Sequence, residues 1–358
     1  MAHVRADPVR AVPGGRPLEI ACDESGSDGE NLTSGNTDVF AHASVHLPVE
    51  FAAHSVQVIR DRIRSPAEEY KANHLLREKH RAVLEWLLDT GGPLCGHAHV
   101  HLTEKPFFVV DRMVDLLLGE AGTAAVTLYR EGRNAFGDER WRGFLESSNS
   151  LLRVRNNGEA GAPVDAFFHL VGALSWTYSG DGSGNELGDI LAALLAARSR
   201  ADAYRARIAE TPAVFPVLNP LLPAIVRTAA HWSGEGRPVS LVHDRQNMLT
   251  EERIAWLKKT ADLAGLRLVA ARSDPRVQLA DFLAGIARKI ASDERGGHGD
   301  ARLTTLLRPY VDPYSVWGDD RSWAVLAPAA DGDRTPAQAP VKIPGVPTDP
   351  NVPLYIAR

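Results

Sequence analysis

The chain has 358 residues, of which 44% are hydrophobic and 24% charged, a composition typical of a soluble globular protein. Its formal net charge of −5 excludes a global positive field, so any contact with nucleic acid must be local or made through metal ions. No apolar run reaches the roughly 18 residues of a membrane helix. Residues 1–16, a predicted flexible leader, lack the apolar segment of a signal peptide.

The two cysteines indicate the compartment. Cys22 and Cys95 both lie in apolar, strand-like runs, which is typical of buried thiols in a reducing environment. We therefore expect a cytoplasmic protein with no membrane partner.

Residues 17–133 are predicted to form the N-terminal half of an α/β core. Leu18, Ile20 and Cys22 alternate with less apolar residues, which predicts a strand, and residues 39–46 predict a second strand in a hairpin with it. Pro66 is expected to end the helix that follows. The remaining predicted elements are helices over about 52–63, 76–89 and 107–118, and strands over 94–102 and 124–129.

Residues 134–236 are predicted to form a helical insertion, with helices over about 138–155, 163–178, 186–209 and 220–232. The alternation of strand and helix resumes in residues 237–325, the C-terminal half of the core. Its predicted elements are strands over 239–243 and 266–270, and helices over 251–264 and 277–290. Residues 326–358 are rich in Pro, Ala and Gly, which predicts an extended tail.

Acidic residues occur where two predicted strands end. Asp23 and Glu24 follow the first strand, and Asp244 follows the strand over 239–243. In open α/β sheets, ligands bind outside the strand ends, where a carboxylate can hold a cation or move a proton. Two structural alternatives stay open: a polar turn at Asp23-Glu24 and a helix-entry cap at Asp244.

Asp281 is the only charged residue in the apolar helical run over 277–287. Gln278, Asp281 and Gly285 are spaced i, i+3 and i+7, so they share one helix face. A carboxylate packed against a core is costly unless it is paired or binds metal. The structural alternatives are a salt bridge, for instance to Arg272 or Arg276, or an exposed polar stripe on the helix.

Carboxylate oxygens at two strand ends and on one helix favour Mg²⁺ or Mn²⁺ as cofactor. Two such ions can stabilise both the attacking and the leaving oxygen of a phosphoryl displacement. The sequence thus favours a divalent-metal-dependent phosphodiester hydrolase, specifically a nuclease, with nucleic acid or another phosphodiester as substrate. Gln246 and Gln278 are predicted to orient water or substrate by hydrogen bonding.

Four motifs resemble the DUF3800 family, over residues 18 to about 291: Asp-Glu-Ser-Gly at 23–26, Glu-Tyr-Lys at 69–71, His-Asp-Arg-Gln at 243–246, and Gln278 to Gly285. The resemblance implies a ribonuclease H-like α/β fold, a mixed sheet flanked by helices, here with a large helical insertion. It also implies that Asp23, Asp244 and Asp281 bind the metal. Glu24 or Glu69 would supply a fourth acid, and Lys71 would face the phosphate.

Two other functions stay open. The first is a non-catalytic module of the same fold that binds nucleic acid or protein, for which the basic helix with Arg198, Arg200, Arg205 and Arg207 would be the contact surface. The second is a zinc hydrolase, because His97, His99 and His101 share one face of a predicted strand. Alternate side chains on a strand are about 6.5–7 Å apart, which is far for three ligands of one ion.

Overall fold

The fold is an α/β arrangement around one open, mixed sheet. The structure, a computed structural model, describes residues 16–64, 70–119, 122–154, 162–179, 186–210, 217–234 and 236–329. Its strands are β1 (Leu18–Ser25), β2 (Val39–Val45), β3 (Ala98–Glu104), β4 (Val239–Asp244) and β5 (Leu263–Val269). They lie in the order β3-β2-β1-β4-β5, and β2 alone is antiparallel to its neighbours.

The helices, in chain order, are α1 (Val49–Ile63), α2 (Ala72–Leu75), α3 (Arg81–Leu88), α4 (Lys105–Leu118), α5 (Thr123–Phe136), α6 (Asp138–Leu152), α7 (Ala162–Ser179), α8 (Glu186–Ala196), α9 (Arg198–Glu210), α10 (Leu221–Ser233), α11 (Glu251–Thr260), α12 (Pro275–Arg295), α13 (Ala301–Leu307) and α14 (Asp320–Leu326). Short 3-10 turns cover Glu78–His80, Ala271–Ser273 and Arg308–Tyr310. Within the described ranges, no helix combines the length and the apolar composition needed to cross a membrane.

The two faces of the sheet are covered by different helices. Along β2, Val39 and Ala43 share a core with α12, whereas Phe40 shares a core with α10 and β4. This division follows from the two-residue period of a strand, which sends successive side chains to opposite faces. The helix α12 crosses β1 and β2, and it is buried along most of its length.

The six consecutive helices from α4 through α9 share a separate apolar core. The predicted strand over 124–129 is wrong, because these residues belong to α5. Ala125, Leu128 and Gly132 are spaced i, i+3 and i+7 and form one buried face, and Phe136 follows one turn later. Helical burial in this core decides the structure of a short apolar run that suits either element. By contrast α10, within the predicted insertion, packs against the sheet.

Several other boundaries differ from the predictions. The predicted helix over 76–89 is divided into a 3-10 turn and α3, and the predicted helix over 186–209 into α8 and α9. The strand predicted over 94–102 begins only at Ala98, after a turn in which Cys95 is exposed, so the expectation of a buried thiol there is wrong. Cys22 is buried, as predicted. Pro66, the leader and most of the tail lie outside the described residues.

Candidate functional site

Asp23 and Asp244 lie side by side at the carboxyl ends of two parallel strands. Cys22 of β1 pairs with His243 of β4, and Asp23 and Asp244 are the next residues along the two strands. Ala21 and Val242, two residues earlier on each strand, belong to the core that α12 covers. Because side chains alternate along a strand, both aspartates face the same side of the sheet as α12.

Asp281 reaches this place from α12. A Cβ on Gly285, one turn later on the same helix face, would lie 2.3 Å from the Cβ of Ala72, so the glycine lets the start of α2 approach α12 closely. This approach carries Lys71 to the site, where its Nζ lies 3.4 Å from Oδ2 of Asp281. The Lys71 side chain is about half exposed, which leaves it accessible from solvent.

The predicted salt-bridge alternative involving Arg276 does not form. Arg276 instead pairs with Asp274, at 2.7 Å, and with Glu19, at 2.8 Å. Gln278, three residues before Asp281, is partly exposed on α12. The face predicted from the i, i+3, i+7 spacing is therefore the face that α12 turns toward the ends of β1 and β4.

The carboxyl groups of Asp23 and Glu24 are buried without full compensation. Both side chains are 4% exposed, and Asp23 Oδ2 and Glu24 Oε2 have no hydrogen-bond partner. Burial, together with the charges of Glu24, Asp281 and Asp244, raises the pKa of Asp23 to about 9. Burial, followed by the charge of Asp244, raises the pKa of Glu24 to about 8. Without a cation, both groups therefore hold protons at neutral pH.

Glu24 lies on the opposite side of β1 from Asp23 and is held by polar neighbours. Gln246 donates a hydrogen bond from Nε2 to Glu24 Oε1. On the other side, Nε2 of the buried His243 lies 3.7 Å from Glu24 Oε2. Gln246 thus contacts Glu24, and its predicted role in orienting water or substrate stays a prediction.

A buried pair of histidines, His42 and His243, lies beside Glu24, and the sequence predicted no role for it. His243 Nδ1 donates to the backbone oxygen of Asp244, at 2.9 Å, so in the neutral ring Nε2 is an acceptor. His42 Nε2, 3.2 Å away, therefore donates to it, and His42 Nδ1 accepts from the Thr228 hydroxyl. Burial lowers the pKa of both rings. The signal in the sequence was a histidine within each of two largely apolar predicted strands, His42 in residues 39–46 and His243 in residues 239–243.

Asp244 also has a structural role. Its Oδ1 accepts a hydrogen bond of 2.8 Å from the backbone N–H of Ala271, in the turn between β5 and α12. This bond ties the end of β4 to the segment that leads into α12, and so sets Asp244 relative to Asp281. The alternative of a helix cap does not apply, because Thr250 caps α11.

Three predicted acids, Asp23, Asp244 and Asp281, thus lie near one another on the face that α12 covers, with Lys71 beside Asp281. Glu24 and Gln246 lie on the other side of β1. Glu69, the other candidate for a fourth acid, lies outside the described residues. In the part of the chain that the structure describes, no three His, Cys, Asp or Glu side chains converge closely enough to hold one ion. Carboxylate oxygens are the ligands that Mg²⁺ and Mn²⁺ prefer, and Asp23 Oδ2, on the face that α12 covers, is buried without a hydrogen-bond partner.

The three histidines of the predicted zinc site do not assemble. His97 precedes β3 and is exposed, whereas His99 and His101 are buried on the strand. His101 Nδ1 lies 2.9 Å from Asp312 Oδ2, and His99 stacks on His231 with ring centroids 3.7 Å apart. These contacts make the strand histidines part of the packing between β3, α10 and the segment around Asp312.

The basic helix α9 is used largely for internal contacts. Arg205 is buried and donates to the backbone oxygen of Arg153, and Arg200 donates to that of Leu117 at 2.9 Å. Arg198 pairs with Asp165. The predicted contact surface for a phosphate backbone is thereby reduced, because these guanidinium groups already bind helix ends or a carboxylate.

Comparison with known proteins gives no matching family model, no matching curated protein and no matching solved structure. The resemblance to the DUF3800 family therefore remains an interpretation of the four motifs.

Proposed function

We propose that this protein is a divalent-metal-dependent phosphodiester hydrolase that acts on nucleic acid. The observation that carries the proposal is that Asp23, Asp244 and Asp281 lie near one another on the face of the sheet that α12 covers, with Asp23 Oδ2 buried and unpartnered. Structural ion-pair networks also gather acids, but they pair each carboxylate with a cation. Here Lys71 is the cation next to Asp281, whereas burial, and after it the charges of neighbouring acids, raise the pKa of Asp23.

The chain's own groups have distinct roles in this proposal. Asp23, Asp244 and Asp281 would hold Mg²⁺ or Mn²⁺, which when bound would neutralise phosphate charge and lower the pKa of the attacking water. Lys71 offsets charge that develops on the phosphate, because it is exposed at the site. Gln246 holds Glu24 in place, and Gln278 is positioned to hydrogen-bond substrate from α12.

We further propose that the sheet is of the ribonuclease H-like type. The support is a mixed five-stranded sheet with a single reversed strand, and acids at the ends of its two central parallel strands. The non-catalytic binding module is the competing interpretation. It has less support now that the arginines of α9 are found in internal contacts.

A cleavage assay tests the proposed function. The wild type should cleave labelled single-stranded DNA or RNA when Mn²⁺ is added and not when it is chelated. Asp281→Asn should lower kcat at least a hundredfold, since it removes charge without changing shape. Asp293→Asn, on the same helix but paired with Lys289, is the matched control and should leave kcat unchanged. Equal cleavage by Asp281→Asn and wild type, or no cleavage by the wild type, would exclude this function.

A further inference from the structure

Arg288 has different surroundings from the other basic side chains of α12. Arg276, Lys289 and Arg295 of this helix each lie within salt-bridge distance of a carboxylate. Arg288 pairs with no carboxylate among the described residues, and its Nε donates to the Ser25 hydroxyl at 3.0 Å. The guanidinium thus lies at the end of β1, and the Arg288 side chain is partly exposed.

The chain makes room for this arginine. Gly26 has a φ of +88°, and a Cβ there would lie 2.8 Å from Arg288 Cδ and 2.4 Å from the backbone oxygen of Val39. Ser25 and Gly26 directly follow the acids Asp23 and Glu24. The turn that ends β1 thus both admits the arginine stem and supplies the hydroxyl that orients the guanidinium.

Arg288 is set apart from the acids along the helix. It follows Asp281 by seven residues, about 10 Å along the axis of α12, on the same face. Lys71 lies next to Asp281, at 3.4 Å, and Arg288 lies two turns further along the same face of α12.

We propose that Arg288 binds the substrate phosphate that neighbours the one being cleaved, so that the site takes a nucleic-acid strand rather than a compound with a single phosphodiester. This inference rests on the proposed function for the identity of the cleaved phosphate. A guanidinium offers a planar set of donors that matches phosphate oxygens. Nε donates to Ser25, which leaves the N–H groups of the two terminal guanidinium nitrogens to bind a phosphate.

A comparison of two substrates distinguishes the binding of one neighbouring phosphate by Arg288 from a general electrostatic attraction to nucleic acid. Arg288→Ala should raise KM for a single-stranded oligonucleotide about tenfold, the effect of one lost charge-assisted hydrogen bond, and leave KM for a dinucleotide unchanged. The slope of log KM against log salt should fall by about 0.7 for the oligonucleotide. Arg288→Lys should be intermediate, and Ser25→Ala should raise KM less than Arg288→Ala does. Lys289→Ala, the neighbouring charge on the same helix, is the control and should change none of these values.

A measurement of binding tests the inference without depending on cleavage. Fluorescence anisotropy of the same labelled oligonucleotide, with Ca²⁺ in place of Mn²⁺, should show weaker binding and a lower salt slope for Arg288→Ala. If the wild type binds and Arg288→Ala matches Lys289→Ala, the inference is overturned, whatever the enzyme cleaves. If Arg288→Ala weakens binding but the wild type cleaves nothing, the proposed function fails and the phosphate-binding role stands. If the wild type neither binds nor cleaves, both are overturned.

Discussion

Asp23 and Asp244 follow the paired residues Cys22 and His243 on neighbouring parallel strands, so the backbone itself places two carboxylates side by side. Asp281 adds a third from the helix that covers this face. The arrangement concentrates negative charge where burial already disfavours it, and the protonation of Asp23 and Glu24 is the direct consequence. The predictions below follow from this relationship.

Metal binding should release protons. The pKa values of Asp23, about 9, and Glu24, about 8, mean that both groups are protonated at pH 7 in the metal-free protein. A cation can bind only as these protons leave, so its affinity should rise between pH 6 and pH 9, about tenfold per pH unit for each proton released. Calorimetric titration with Mn²⁺ in buffers of different ionisation enthalpy measures the number released. A heat independent of the buffer would contradict the prediction.

Asp23→Asn should remove a pH dependence of stability. The raised pKa means that the folded state holds this proton more tightly than the unfolded chain does. The associated stability is present below the unfolded pKa of about 4 and is lost as the pH rises through about 9. At pH 8, with metal chelated, Asp23→Asn should be more stable than the wild type by on the order of 5 kcal/mol, about 1.4 kcal/mol for each of the roughly four pH units above the unfolded pKa. Urea unfolding at several pH values measures this difference.

The matched control for that measurement is Glu139→Gln, an exposed carboxylate of α6. It should follow the wild-type pH profile. If Asp23→Asn also follows that profile, then Asp23 is not protonated in the folded protein.

Gly285→Ala should separate α2 from α12. The new Cβ would lie 2.3 Å from that of Ala72, with helix backbone behind both, so one element must move. We expect a loss of about 1–3 kcal/mol in the free energy of unfolding, as for other overpacked sites. Gly172→Ala is the control, since no atom lies within 4 Å of its added Cβ, and it should stabilise the protein by up to about 1 kcal/mol. A neutral Gly285→Ala would contradict the close packing.

Lys71→Ala should lower activity more than stability. Lys71 pairs with Asp281, and about half of its side chain is exposed, so removing it changes the free energy of unfolding by less than about 1 kcal/mol. If it offsets phosphate charge, kcat with Mn²⁺ should fall on the order of tenfold to a hundredfold. Lys79→Ala, an exposed lysine of the following 3-10 turn, should keep wild-type kcat. Equal rates for both variants would remove Lys71 from the reaction.

Where the sequence predicted an element correctly, the periodic spacing of apolar residues in strands and helices is the reason. The alternation around Leu18 and Cys22 located β1 but not its end, since the strand continues through the two acids to Ser25, and the lone charge in an apolar helix marked Asp281. The same local reasoning misread residues 124–129, because a short apolar run is compatible with either element and only burial against α4 and α6 makes it helical. It also had no means of choosing between Glu24 and Glu69 as a fourth acid, and that choice stays open because Glu69 lies outside the described residues.

The sequence by itself determined which residues carry charge at the ends of apolar segments, since hydrophobic period and turn chemistry are local properties of the chain. The tertiary structure alone decided which of them meet. Pairing of β1 with β4 joins residues more than two hundred positions apart, and the packing of α12 brings Asp281 and Arg288 to the same edge. Those contacts depend on strand register and helix rotation, which no local pattern encodes.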